Sequence, residues 1–302
     1  MATVTTTTGA PASPRRRKDL GWRFLLPAYA AVALIVGVPT IYSLYLSFHK
    51  WKLTTFRRGV PFVGLDNYKT AISDPAFWHS MQVTVVFTFV ALSIEIVLGL
   101  GLAVLLDQEF RGRRTVRILI LLPMFTTNVI VGLIWRMLLS YDFGFLNWLL
   151  SLAGISPVAW LGNPSLALWS LVMVDVWNTT AFVSVILLAG LQSVPEELRQ
   201  AAWVDGASSW QTFRLITLPL LRPFLFVAIV WRTIDLFRIF DVVFSLTGGG
   251  PYNATQTLSL YAYEKGFASF NLGLASAVSY LLILALVIIL AIEARVVGRR
   301  ST

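Results

Sequence analysis

The chain has 302 residues, 57% of them hydrophobic and 13% charged, with a mean hydropathy of +0.73. Soluble domains run to about a quarter charged, so this composition excludes an ordinary soluble globular protein and points to a bilayer. The absence of cysteine excludes disulfides, thiolate nucleophiles and Cys-ligated metals, while the net charge of +9 raises nucleic acid as a partner until the bases are placed.

Residues 1–21 are poor in apolar side chains, rich in Thr, Pro and Ala, and end in a basic cluster at Arg15, Arg16, Arg17 and Lys18. They read as a disordered basic tail. The apolar run that follows, 22–47, is too long for a signal peptide and lacks a clear small-residue cleavage site, so it reads as a first span. The segment to residue 79 is then an outer loop. It holds His49 and opens towards His79, two imidazoles 30 residues apart that do not form a metal site by spacing.

Five further stretches are long enough to cross the bilayer, near 80–106, 116–139, 165–191, 218–246 and 272–293. The predicted fold class is therefore all-α, a polytopic membrane protein with six transmembrane helices. Its parts are the tail, the first span with its outer loop (22–79), a core (80–293) and a second tail (294–302). Pro39, Pro123 and Pro223 predict kinks in spans one, three and five. An even number of spans places both termini on one side. Arg23 at the start of span one, Arg111, Arg113 and Arg114 after span two, Arg199 and Arg214 after span four, and Arg295, Arg299 and Arg300 after span six make that side cytoplasmic. Lys50, Lys52, Arg57, Arg58 and Lys69 in the first outer loop run against the rule, but sit well beyond the membrane edge. The basic residues are then topogenic, and nucleic acid is excluded as a partner.

One cytoplasmic loop is unusually polar. Ser193 with Glu196 spells a capping box around Pro195, predicting a helix to about Val204. Gly206 offers a helix stop, and Ser208 with Gln211 spells a second box, predicting a second helix to about Thr217 before Pro219 joins span five. With Ala201 and Ala202 exposing little side chain, the pair is either a knob for a docking protein or an interfacial pair resting on headgroups through Trp203, Trp210 and Arg214. In span five, Arg232, Asp235, Arg238 and Asp241 recur every three residues with alternating sign. Such charges either fasten the helix to others or line a polar pathway. No phosphate-binding loop, G-x-S-x-G or H-E-x-x-H occurs, so the chain by itself is not expected to be an enzyme.

Residues 200–219 resemble the EAA loop of ABC importer permeases: Gln200-Ala201-Ala202, then Asp205-Gly206, then Ile216, Leu218 and Pro219 at the family spacing. "DGAS" and "ITLPLLRP" are similar to its carbohydrate-uptake, maltose-permease-like branch, as are segments 62–80 and 246–282. Gln200 stands where the family has glutamate, so a contact made by that carboxylate does not carry over. The resemblance implies the ABC importer permease fold in a bacterial inner membrane. It also implies a second homologous permease, a pair of cytoplasmic ABC ATPases gripping the coupling helices at 194–217, and an extracytoplasmic solute-binding protein. ATP and Mg belong to the ATPases, and no cofactor or metal to this chain. The solute implied is a carbohydrate, by similarity to actinobacterial trehalose systems a disaccharide such as trehalose.

Sugar recognition needs a few well-placed hydroxyl partners beside apolar faces. Asn128, Asp175, Trp177, Asn178 and Thr179 are candidates for the pathway together with the span-five charges, and Glu95 and Arg136 are further ones; the alternative for each is hydrogen bonding between helices. An ion- or proton-coupled secondary transporter, with the span-five charges as relay, is the competing function, and a membrane scaffold without transport is a third.

Overall fold

The structure is a computed structural model that describes residues 18–53 and 59–298. Residues 1–17, Arg57, Arg58, Arg299 and Arg300 lie outside the described residues. The chain divides into two compact units, one ending at Tyr45 and one beginning at Leu46.

The described part of the first unit is one helical run. Helix α1 (Lys18–Val32) passes through a π-helical turn at Ala33–Gly37 into α2 (Val38–Ser47). Pro39 has no N–H for the carbonyl four residues earlier, and the widened turn sits just where that bond is missing. The apolar stretch Phe24–Ser47 is long enough to cross a bilayer, and Leu34, Ile35 and Ile41 are exposed along it. In hydrocarbon that exposure is no penalty.

The second unit contains α3 (Asp66–Ser73), α4 (Pro75–Asp107), α5 (Arg113–Leu121), α6 (Asn128–Leu138), α7 (Phe145–Leu152) and α8 (Pro164–Gln192). After these come α9 (Glu196–Val204), α10 (Ser209–Thr212), α11 (Leu218–Phe237), α12 (Asp241–Leu246), α13 (Leu258–Tyr263) and α14 (Leu272–Gly298). The long helices begin where their sequences stop them fraying. Asp74 accepts from the Ala76 N–H at 2.9 Å ahead of α4, and Asn163 accepts from the Ser165 N–H at 2.9 Å ahead of α8, each followed by a proline that needs no donor.

Helices α4 and α8 pack along their lengths. At Gly99 a Cβ would lie 2.6 Å from Val183 Cγ1, so the approach requires glycine. Three apolar clusters fill the interior. One joins Phe87, Leu171, Leu236 and Val243, a second Phe77, Phe237, Tyr261 and Val278, and a third Leu106, Leu187, Leu191 and Leu221.

Among the described residues five helices are long and apolar enough to cross a membrane, and a bent pair supplies the sixth crossing if counted as one span. That pair corrects the expectation of a single kinked helix over 116–139. Pro123 ends α5 in a 3-10 turn, Thr126 and Thr127 are extended, and α6 leaves at 99°. Span five is also corrected. Instead of one helix over 218–246, α11 stops at Phe237 and α12 begins at Asp241, with the freed Ile239 carbonyl accepting from the Thr257 hydroxyl at 3.2 Å. The capping box at Ser193 does not form. Its hydroxyl donates back to the Gly190 carbonyl at 2.7 Å and closes α8, while Pro195 occupies the cap position of α9 without a side-chain bond.

Candidate functional site

A polar centre lies within the apolar bundle. Arg232 on α11 is 2% exposed, and an isolated guanidinium there would be strongly destabilising. Its three nitrogens reach three carboxylates. Nε donates to Glu95 Oε2 at 2.7 Å and Nη2 to Glu95 Oε1 at 2.8 Å, a two-pronged pair to α4. Nη2 also donates to Asp175 Oδ2 at 2.9 Å and to Thr179 Oγ1 at 3.1 Å, both on α8, while Nη1 donates to Asp235 on its own helix. The Thr179 hydroxyl lies 2.9 Å from Glu95 Oε1 and 2.7 Å from the Asp175 carbonyl. Three helices are thus tied at one point, which no stretch of sequence taken alone contains.

Beside this knot is a cleft of about 370 Å³ lined by Asn128, Asp175, Asp235, Arg238, Phe240 and Asp241. Asn178 donates to Asn128 Oδ1 at 3.0 Å, closing one wall between α8 and α6. Among the described residues Arg238 and Asp241 form no ion pair, and both side chains are exposed. The pairing along the helix that this three-residue spacing permits therefore holds only for Arg232 and Asp235, because the helix ends at Phe237 before Arg238 and Asp241 can continue it. The cleft offers carboxylate acceptors, guanidinium and amide donors, and the ring of Phe240, a set suited to hydroxyl-rich ligands.

The structure brings together Asn128, Asp175, Asn178, Thr179, Arg232, Asp235, Arg238 and Asp241. Two candidates stand apart. Trp177 packs edge-on against Trp135, with centroids 5.4 Å apart, and Arg136 borders a separate groove with Tyr141, Phe143 and Trp160. Sequence reasoning ranked Glu95 below the span-five charges, although it is fully buried at the centre of the knot. Glu293, which accepts from the Thr233 hydroxyl at 2.7 Å, was not singled out. In both cases the signal was a lone acid in an apolar helix.

The polar loop forms a second feature at one end of the bundle. Gly206 has φ +79°, the left-handed value that turns α9 into α10. Ser208 and Gln211 form the reciprocal capping box, with bonds of 3.3 and 2.8 Å. Arg199 fastens α9 to the body: Nη1 donates to Asp107 Oδ2 at 3.0 Å and Nη2 to the Leu191 carbonyl at 3.0 Å. Ala202 is buried, so of the two alanines only Ala201 lies at the surface, alongside exposed Gln200 and Asp205. Leu198, Trp203, Val204, Trp210 and Leu215 expose apolar surface around them, while Ile216, Leu218 and Pro219 are partly buried at the root. From Ser209 the chain runs helically through a π turn at Phe213–Thr217 to Phe237. At about 1.5 Å per residue, the stretch from Ser209 to Arg232 spans about 35 Å.

Residues 95–301 match the family described as the binding-protein-dependent transport system inner membrane component. The trehalose/maltose transport system permease protein MalF of Thermococcus litoralis is 42% identical over 269 residues, covering 88% of this chain and 89% of that one. The trehalose transport system permease protein SugA of Mycobacterium tuberculosis is 37% identical over 275 residues, covering 91% and 86%. Among solved structures, a chain of a bacterial alginate ABC transporter, in complex with an alginate pentasaccharide-bound periplasmic protein, is similar in fold. It has a TM-score of 0.82 at 23% identity and covers 95% of this chain and 96% of that one.

Proposed function

The chain belongs to the family of binding-protein-dependent transport system inner membrane components, and on that footing we propose that it is the permease subunit of an ATP-driven importer for a carbohydrate, a disaccharide such as trehalose. The names of the similar permeases support the solute class, and the hydroxyl-matched groups of the cleft agree with it. In this reading both termini are cytoplasmic. A second permease completes the pathway, a pair of cytoplasmic ATPases binds ATP and Mg, and an extracytoplasmic binding protein delivers the sugar.

The observation that carries the coupling is the continuous helix from Ser209 to Phe237. Its outer end is tied by Arg232 to α4 and α8, and its root adjoins the exposed turn at Gly206. Movement of partners gripping α9 and α10 reaches the polar centre as a rigid-body displacement, and closure of the partners shifts the population between two arrangements of the spans. An ion relay along span five is the competing reading; among the described residues its alternating charges form only the Arg232–Asp235 pair along the helix.

Uptake of labelled trehalose into proteoliposomes holding this chain with its copurified subunits tests the proposal. ATP inside is expected to drive uptake and an uncoupler to leave it unchanged. Gly206→Trp places a side chain on a left-handed backbone and is expected to abolish ATP-driven uptake while membrane insertion persists; normal uptake by that variant rules out coupling through this turn.

A further inference from the structure

We propose that α5 is a binding site for an anionic phospholipid, held through its phosphodiester by Arg113 and Arg117 with Arg111 and Arg114 beside them. Helix α5 leaves the end of the α4 span after a left-handed turn at Gly112 and is followed by the 99° bend into α6. One face is anchored: Val116 and Ile120 pack on the cluster formed by Leu106, Leu187 and Leu191. Ile118 on the far side and Leu119 beside it are exposed, continued by Leu122 and Phe125 beyond the helix end. Arg111, Arg113 and Arg114 sit at its start and Arg117 in its middle, Arg113 and Arg117 on the same side as Val116 and Ile120, and the exposed apolar side chains follow towards its end, the distribution of a segment lying at the boundary of headgroups and acyl chains.

Within the described residues the arginines are without side-chain partners. Arg113 and Arg117, one turn apart, are partly buried, and the Nε of each is shielded from solvent without an acceptor. Among the described residues none of the four forms an ion pair or a side-chain hydrogen bond. The nearby acids do not answer them: Asp107 is taken by Arg199, and Glu109 makes no ion pair among the described residues. A half-buried guanidinium without an acceptor is unfavourable. At the headgroup layer the abundant acceptor is phosphate, whose oxygens match the guanidinium fork, and clustered arginine beside a span favours lipids of net negative charge. The apolar side chains next to the cluster favour a lipid over free phosphate, because they give acyl chains a surface. This site depends on the chain lying in a membrane and is independent of the transported solute.

The test uses the full chain with its copurified subunits in detergent, with phosphatidylglycerol, phosphatidylcholine and inorganic phosphate as probes, read by native mass spectrometry and thermal unfolding. Wild type is expected to retain and be stabilised by phosphatidylglycerol but not the other two. Arg113→Gln with Arg117→Gln is expected to weaken phosphatidylglycerol binding about tenfold or more, since each basic group near a headgroup contributes about a factor of five. Arg295→Gln, which removes one charge from the end of another span, is expected to leave it intact. Arg113→Lys with Arg117→Lys, which keeps charge but loses the fork, is expected to fall between and serves if the glutamine variant fails to insert. Equal retention of phosphatidylglycerol by wild type and variant overturns the proposal, as does equal stabilisation by inorganic phosphate. Loss of copurified ATPase with lipid retention unchanged also overturns it and assigns the basic face to a protein partner.

Discussion

Arg232 and Glu95, 137 positions apart, meet in a two-pronged ion pair of 2.7 and 2.8 Å between helices α11 and α4, with the guanidinium 2% exposed and the carboxylate fully buried. Asp175 completes the junction from α8 at 2.9 Å. Such a pair contributes little net stability relative to a well-packed apolar core, but breaking it leaves a buried charge uncompensated.

Replacing Arg232 with Leu therefore strands Glu95 and Asp175. The expected cost is about 3–5 kcal/mol of stability, seen as a large drop in the midpoint of thermal unfolding in detergent. Adding Glu95→Gln and Asp175→Asn to Arg232→Leu is expected to recover most of it, because the stranded charges are then removed. A triple variant no more stable than the single one contradicts the electrostatic account.

The Arg199 link is expected to behave differently. Both it and Asp107 are about a fifth exposed, with side-chain values of 20% and 19%. A double-mutant cycle with Arg199→Ala and Asp107→Ala should return a coupling of about 1 kcal/mol or less. The functional effect should be larger: if the chain works in the proposed importer, then with α9 unfastened ATP hydrolysis by the proposed partner subunits is expected to lose its dependence on solute while the complex still assembles.

Arg238 and Asp241 line the cleft without an ion-pair partner among the described residues, so Arg238→Gln and Asp241→Asn are expected to change stability by no more than about 0.5 kcal/mol. If these groups meet sugar hydroxyls, each substitution removes one hydrogen bond and raises the apparent KM for uptake by up to about tenfold. An unchanged KM with unchanged stability places the sugar elsewhere.

Away from the spans, the Tyr261 hydroxyl donates to Asp74 Oδ2 at 2.6 Å, and Lys265 Nζ lies 3.1 Å from the same oxygen. The Tyr261 bond, helped by the Ala76 N–H and by Lys265, holds the Asp74 carboxyl below the usual carboxylate range despite partial burial. Burial first, and then Asp74, push the Tyr261 phenol above its ordinary value. Because the folded-state value of Asp74 is depressed, its stabilisation is fully present above the ordinary carboxylate value of about 3.9 and is lost as pH falls through the lower folded value. Tyr261→Phe is expected to lower stability by about 1 kcal/mol at neutral pH, and to reduce the difference between neutral and strongly acidic unfolding midpoints.

The sequence by itself determined what local chemistry and hydropathy control. Apolar runs of bilayer length located the spans, Ser208 with Gln211 and the glycine at 206 located the turn between α9 and α10, and the spacing from Gln200 to Pro219 pointed to the family. Where an alternative acceptor or a missing donor was equally local, the outcome was less legible. Ser193 could cap a new helix or close the old one, and the Gly190 carbonyl took its hydroxyl. Pro123 announced a kink, but a kink and a 99° turn begin with the same lost N–H, and only packing chose between them. The polar centre was decided by tertiary structure alone. Glu95 and Asp175 each appear in sequence as a solitary charge in an apolar helix and Arg232 as the first of four alternating ones, and such charges look alike whether they face water, lipid or one another. Which of them meet depends on the rotation and depth of α4, α8 and α11, set by contacts such as Gly99 against Val183 that are made between distant positions. The cost of an unpaired charge in hydrocarbon then makes that arrangement the stable one.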